Sequence, residues 1–316
     1  MLKTGIYKLD QIKAAATIDS TSFTNFFGDE KEISITLYEQ VQQLPNGNEL
    51  AERVLLLFKD DRGAYKRTYI NRFAEFDAII LNQLNSHFKP EDHLIIHDVG
   101  VSDGRTALDL FEKVIPIFTN CKYIASDYNA KVYILTKGKC TVTISHNTQI
   151  LEILWPPFVF TKIRLNRFLF LYPLNHLIRF FIQLLYVYPI IKDYKFGKLT
   201  ATELTLFAPR VLERSKNDPR LNLERQDLLQ PFKEPANVIR AMNVLNTSYF
   251  TKDELHKIIS NIYMGLKDGG LFILGSNQNA GTLVHGGIYE KTSTGFKLVT
   301  KSGDGLVIEP LILVAR

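Results

Sequence analysis

The chain has 316 residues, of which 46% are hydrophobic and 22% charged, with a formal net charge of +5. That balance excludes a disordered chain and fits one large α/β domain with appendages, or two smaller domains. Lys and Arg are spread along the chain apart from a small cluster at Arg62, Lys66, Arg67 and Arg72, so no basic stripe points to nucleic acid.

Residues 1–90 are expected to form a mostly helical N-terminal region, because Glu49–Phe58 and Tyr69–Phe88 repeat apolar residues at helical spacing. Phe73, Phe76, Ile80 and Leu84 make one such stripe, and Pro90 ends it. The first twenty residues lack the apolar core of a signal peptide. Two cysteines, Cys121 and Cys140, cannot build a disulfide framework, and seven His without HExxH-like spacing give no metal site. A cytoplasmic, reduced setting follows as the expectation.

From Leu94 the pattern changes to a βαβ unit, the mark of a parallel sheet. LIIHDV reads as a buried strand, GVSDG as a tight turn, RTALDLFEKVIPIF as a helix and KYIAS as the next strand, ending at Asp127. VYIL, CTVTIS and QILEIL then predict an antiparallel meander. The apolar stretch 168–191 follows, interrupted by Pro173, Asn175, His176, Arg179, Gln183 and Pro189, so a membrane span is not expected. The α/β rhythm resumes with a helix at Glu203–Ser215, strands at Leu221–Arg225 and Asn237–Asn243, and a helix at Lys252–Leu266. A turn at Lys267–Gly270 leads to strand LFILG, and two last strands fall near Lys297–Thr300 and Gly305–Val314. The expected organisation is a helical region over 1–90 and a doubly wound, Rossmann-like α/β domain over 91–316, with an inserted meander and lid at 129–200.

Ligands of open parallel sheets bind where strand ends meet helix starts. Asp98-Val-Gly100-Val-Ser102-Asp-Gly104 lies at such a point: its glycines permit a sharp turn, and the next helix N-terminus favours a carboxylate. Asp127, ending the next strand, is placed to hold two ribose hydroxyls. Asp227 ends the third strand, before Leu228 and Leu229.

This series resembles the class I S-adenosylmethionine-dependent methyltransferases, whose first motif is acidic-x-Gly-x-Gly-x-Gly. Asp98, Gly100 and Gly104 match it, and Ser102 stands where the family has its middle glycine. The LKDGG turn is similar to that family's late helix-to-strand turn, and the likeness covers about 94–128 and 202–316. The resemblance implies S-adenosylmethionine as cofactor, with Asp98 near its methionine amino group and Gly100–Gly104, including Ser102, around the methionine part. It further implies Asp127, with Tyr128 beside it, at the ribose, and Asp227 with Leu228 at the adenine.

Two rivals use the same loop. A dinucleotide fingerprint needs G-x-G-x-x-G, and VSDGRT after Gly100 supplies neither later glycine. Gly100-Val-Ser102-Asp-Gly104 is also a literal G-x-S-x-G nucleophile elbow, for which Asp227 and His285 would complete a serine-hydrolase triad. No oxyanion segment precedes Ser102, which counts against it. A non-catalytic cofactor-binding module is the remaining alternative.

The fourth strand and its extension, Val238 to Phe250, place Asn243 and Tyr249 past the strand end, as candidates facing the methyl group and the substrate. The stretch is loosely similar to R-N-V…Y-F of chemotaxis-receptor glutamate methyltransferases, but its spacing differs and that substrate is not carried over. The basic run Tyr65–Arg72 reads either as a cover for the cofactor carboxylate or as a solvated helix face. Residues 155–191, rich in Phe, Leu, Ile and Tyr and punctuated by Lys162, Arg164, Arg167 and Arg179, read as a hydrophobic lid beside the active site. Extra core is the plain alternative. The lid reading makes the unidentified acceptor apolar and expects peripheral membrane contact.

Overall fold

A computed structural model of the chain describes residues 2–16, 32–60, 66, 68–161, 173–277 and 283–315. Numbered in chain order, the strands are β1 (Leu94–Val99), β2 (Cys121–Asp127), β3 (Lys131–Lys137), β4 (Cys140–Ile144), β5 (Ile150–Trp155) and β6 (Phe158–Thr161). They continue with β7 (Thr202–Thr205), β8 (Leu221–Arg225), β9 (Ala236–Met242), β10 (Leu266–Ser276), β11 (His285–Thr292) and β12 (Gly295–Ser302). The chain divides into two compact units, Thr68–Ala130 with Arg210–Arg316, and Met1–Arg67 with Lys131–Pro209.

The unit Thr68–Ala130 with Arg210–Arg316 holds a seven-stranded sheet in the order β12-β11-β10-β9-β1-β2-β8. Its pairings from β8 through β10 are parallel, and β11 and β12 close it as an antiparallel meander. Chain order reverses at β1, which has β2 on one side and β9 on the other, so the ends of β1 and β9 form the switch point where such sheets bind ligands. This is the doubly wound α/β class that the βαβ rhythm predicts. Every residue of β1 is buried, as a central parallel strand requires.

Helix Lys252–Gly265 shows how sequence makes that core. Thr251 and Glu254 form a reciprocal capping box that satisfies orphan N–H groups at its start. Leu255, Ile258, Ile259 and Ile262 then recur at 3- and 4-residue intervals and pack in one cluster with Ile239, Phe272 and Leu274. Each such burial contributes about 1.5–3 kcal/mol.

The unit Met1–Arg67 with Lys131–Pro209 is built on the antiparallel sheet β6-β5-β4-β3-β7. Val132 of β3 packs with Ile35, Leu37, Val54 and Leu55, whereas Leu135 packs with Ile182, Val187, Ile190 and Ile191. The sheet therefore buries both faces, one under the helices Tyr38–Val41 and Gly47–Leu57 and the other under Pro173–Lys195.

Several elements differ from the sequence reading. The helix expected at Glu203–Ser215 is strand β7 followed by helix Pro209–Asn217. Thr202–Thr205 pairs with β3, and Pro209 suits a helix's first turn but not its interior. The strand expected near Gly305–Val314 contains instead the short helix Glu309–Leu313, with Pro310 in its first turn. Strand β11 was hidden by its Gly286-Gly287 pair, which reads as a turn; a Cβ at Gly286 would lie 2.1 Å from the Leu274 carbonyl oxygen, so only glycine fits between the strands. The Lys267–Gly270 turn lies within β10 as a register irregularity between Leu266 and Leu271. The domain limits also fall elsewhere than 90 and 129–200: helix Ala74–His87 belongs to the seven-stranded unit, and residues 1–67 join 131–209.

Candidate functional site

The loop between β1 and helix Arg105–Val114 has a fixed shape. Gly100 has φ +68°, and a Cβ there would lie 2.8 Å from the Val244 side chain, so the loop packs directly on the segment following β9. Ser102 and Gly104 also lie at positive φ, 61° and 83°. The Ser126 carbonyl accepts from the Gly100 and Val101 N–H groups at 2.8 and 3.1 Å. The Ser102 N–H donates to Asp127 Oδ2 at 2.8 Å, and the Asn129 N–H donates to its Oδ1 at 3.0 Å. Asp103, fully buried, pairs with Arg105, whose Nη2 also donates to the Thr68 carbonyl at 2.7 Å.

Asp98 differs from the cofactor-facing role expected for it. Its carboxylate is 1% exposed, and Oδ2 accepts from Arg240 Nη1 at 2.7 Å and from the Tyr123 hydroxyl at 2.8 Å. Arg240 Nη2 donates to Asp77 at 3.0 Å, and Lys113 donates to the same carboxylate at 3.2 Å. Burial pushes the Asp98 carboxyl up, opposed by the Arg240 charge and the Tyr123 bond. Asp98 thus anchors β1, β2 and β9 to one another from inside the sheet.

The ends of β9 and β10 carry a second polar network. Asn243, at φ +58°, exchanges hydrogen bonds with Asn277: its Nδ2 donates to Oδ1 at 2.8 Å, and its Oδ1 accepts from the Asn277 N–H at 3.0 Å. Arg72 Nη2 and Nε donate to that same Asn277 oxygen at 2.9 and 3.2 Å. The segment before Arg72 is tied to helix Arg105–Val114 through the Thr68 carbonyl and through the Asn71 N–H, which donates to Asp109 at 2.6 Å. Residues 68–72 therefore strap across from that helix to the end of β10. Burial lowers the Arg72 pKa, offset by the nearby Tyr69 and Tyr249.

The other expected positions separate into two groups. Tyr128 lies under the Arg225 guanidinium, 5.2 Å from ring centroid to carbon, at the ends of β2 and β8. Asp227 accepts from the Leu229 N–H at 3.0 Å, a local turn bond, and Leu228 turns into the core instead of flanking a ligand ring. Phe250 also packs against the core, while Tyr249 stays partly exposed. Arg62, Tyr65 and Arg67 of the basic run lie outside the described residues. The sequence reading missed the Arg240 anchor, although a lone Arg inside the apolar run Val238–Met242 is the signature of a buried ion pair.

The serine-hydrolase triad is not assembled. Asp227 follows β8 at one edge of the sheet, and His285 opens β11, five strands away, about 24 Å at the usual strand spacing. His285 Nδ1 instead accepts from the Asp304 N–H at 3.0 Å. His97, on β1, is bonded to the Ser126 hydroxyl and burial holds it neutral, with a pKa pulled down to about 4. Cys121 is likewise a poor nucleophile, pushed up to about 12 by burial. A small cleft lined by Glu32, Thr161, Asn175, His176 and Arg179 lies in the other unit and contains none of the candidate residues.

No family model matches the chain, and no curated protein matches it. Solved structures do. The mitomycin 7-O-methyltransferase MmcR is 12% identical over 85% of this chain, with a TM-score of 0.31. An S-adenosylmethionine-dependent methyltransferase from Clostridium acetobutylicum is 13% identical over 71%, with a TM-score of 0.32. The N-methyltransferase NodS from Bradyrhizobium japonicum, in complex with S-adenosyl-L-homocysteine, is 14% identical over 73%, with a TM-score of 0.33. The chain spans 49% of the first, 59% of the second and 73% of the third.

Proposed function

We propose that this chain is an S-adenosylmethionine-dependent methyltransferase whose cofactor lies along the C-terminal ends of β1, β2 and β9. The observation that carries the reading is the preset glycine loop: a backbone held open at positive φ by Asp127, at the switch point of the sheet and the start of a helix. The Arg72 strap at the end of β10 adds a cation suited to the cofactor's carboxylate. A carboxylate has about four lone-pair sites, so Asp127 can bond the loop and still be of the right chemistry for ribose hydroxyls. Asn243 supports the methionine part or the acceptor from the β9 side, with Tyr249 beside the strap. Asp98 acts at one remove, by fixing the strand that carries the loop.

When bound, the cofactor supplies an activated methyl group for direct displacement. The chain's own work is then alignment, which alone accounts for several kcal/mol of barrier lowering, about 7–11 at most. The proposed acceptor is apolar, the expectation raised by the Phe-, Leu-, Ile- and Tyr-rich sequence of residues 155–191. The test is release of S-adenosylhomocysteine from the full chain across a panel of lipid, small aromatic and peptide acceptors. Turnover with an apolar member supports the reading in full; cofactor binding with no turnover on any member would leave a binding module and sink the enzymatic part.

A further inference from the structure

Pro173–Lys195 runs as one 23-residue helix, α-helical at Pro173–Ile182 and Tyr188–Lys195 with a π turn at Gln183–Val187 between them. Its inner stripe is Ile182, Val187, Ile190 and Ile191, packed on Leu135, Val142, Ile144 and Ile153 of the antiparallel sheet. The five-residue step from Ile182 to Val187 is the extra residue of the π turn, which keeps the stripe on the sheet past Gln183. On the other side Leu177, Phe180, Phe181, Leu184, Leu185 and Tyr188 are each 50–60% exposed. Half of about 200 Å² for each such side chain gives on the order of 600 Å² of apolar surface, the upper end of what a soluble monomer shows.

Charge says what covers this face. Asp193 is the one acid between 173 and 200, and it is paired with Lys137 at 2.7 Å. That pair brings the β3–β4 turn, with Lys137 and Lys139, beside the helix end that carries Lys192 and Lys195, with Lys198 just beyond. All five lysines are exposed. We infer that Pro173–Lys195 is a membrane-surface element, seated flat on a bilayer that carries anionic lipid, with its apolar face among the acyl chains and its lysine end on the headgroups. Large apolar side chains beside a cluster of lysines are what interfacial helices present. The helix is long enough to span, about 35 Å, but its inner stripe is committed to its own sheet. Arg179 also donates to the Thr161 carbonyl at 3.0 Å, so lipid cannot surround it. The inference is independent of the methyl-transfer reading.

The test uses sedimentation of the full chain with vesicles of phosphatidylcholine alone, and of phosphatidylcholine mixed with phosphatidylglycerol. The wild type is expected to pellet with the mixed vesicles and to be released by salt. Phe180→Ser/Leu184→Ser/Tyr188→Ser and Lys192→Glu/Lys195→Glu/Lys198→Glu should each weaken binding by tenfold or more, on the order expected for several lost anchors. Trp155, the chain's single tryptophan, packs 4.3 Å from the Tyr186 ring, so brominated mixed vesicles should quench its fluorescence in the wild type without any substitution. Equal pelleting with both vesicle types, no pelleting with either, or unquenched Trp155 would overturn the inference. So would resistance of the membrane-bound chain to alkaline extraction, which marks a span. A solution dimer broken by the serine substitutions would do the same, since a second copy would then cover the face.

Discussion

Replacing Arg240 by Met removes a cation from a site that holds two carboxylates away from water. Arg240 is fully buried, and Asp77 and Asp98 are each 1% exposed, paired to it at 3.0 and 2.7 Å. Deleting one partner of a buried ion pair costs about 3–5 kcal/mol, because the other charge stays behind unpaired. Here two acids lose the same cation, but Lys113 stays 3.2 Å from Asp77 and the Tyr123 hydroxyl 2.8 Å from Asp98. A loss of about 4 kcal/mol is therefore expected, a large part of the roughly 5–15 kcal/mol that holds a typical protein folded. The loss should depend on pH. Burial already raises the Asp98 pKa, and removing Arg240 raises it further. A carboxyl with a raised folded pKa contributes stability below its unfolded pKa and loses it as pH climbs through the folded value. The Arg240→Met deficit should be largest at alkaline pH and shrink on acidification as Asp98 takes up a proton. Urea unfolding followed by circular dichroism measures it, and amide exchange of β1 and β9 assigns it to the seven-stranded unit. A deficit near 1 kcal/mol, the scale of an exposed pair, or one that grows on acidification, would refute the buried-anchor role.

Asp127→Ala releases the Ser102 N–H and should weaken cofactor binding by about 1–3 kcal/mol while leaving the unfolding midpoint little changed, as titration and urea melts would report. Gly100→Ala and Ser102→Gly should act in opposite directions: the first places a Cβ 2.8 Å from Val244 at φ +68° and costs at least about 1–2 kcal/mol, whereas the second relieves a residue at φ +61° and leaves binding intact. A fluorophosphonate adduct on Ser102, read by mass spectrometry, would speak for the hydrolase chemistry instead. In the other unit, burial pushes Glu152 up from 4.5 to about 7, against bonds from the Ser34 hydroxyl and the Ile35 N–H. Because the folded pKa is raised, that unit should be more stable below 4.5 and lose this contribution as pH rises through about 7, and Glu152→Gln should flatten the profile in thermal melts across that window.

The parallel core was legible because each of its signals is local. LIIHDV opens on the apolar run Leu94–Ile96 and ends at Gly100, and Thr251 with Glu254 marks the start of the helix that begins at Lys252. β7 and β11 were not legible, since each owes its form to a neighbour: Thr202–Thr205 is extended because β3 offers a ladder, and Gly286 is a strand residue because the Leu274 backbone comes so close. The same division runs through the candidate site. The glycine loop and Asp127 show in sequence because backbone freedom and strand-end position are local properties. Whether Asp98 faces a ligand or an arginine depends on Arg240, 142 residues away, and Arg72 meets Asn277 across 205 residues. Spacing cannot carry pairings of that range.

The most direct test of the proposed function is calorimetric titration of the full chain with S-adenosylmethionine, S-adenosylhomocysteine and NAD in parallel. The expected result is binding of the first two at micromolar concentration, about −8 kcal/mol, weakened about fivefold or more by Asp127→Ala, with no heat from NAD. Absence of binding by both sulfur ligands, together with clear binding of NAD, would contradict it.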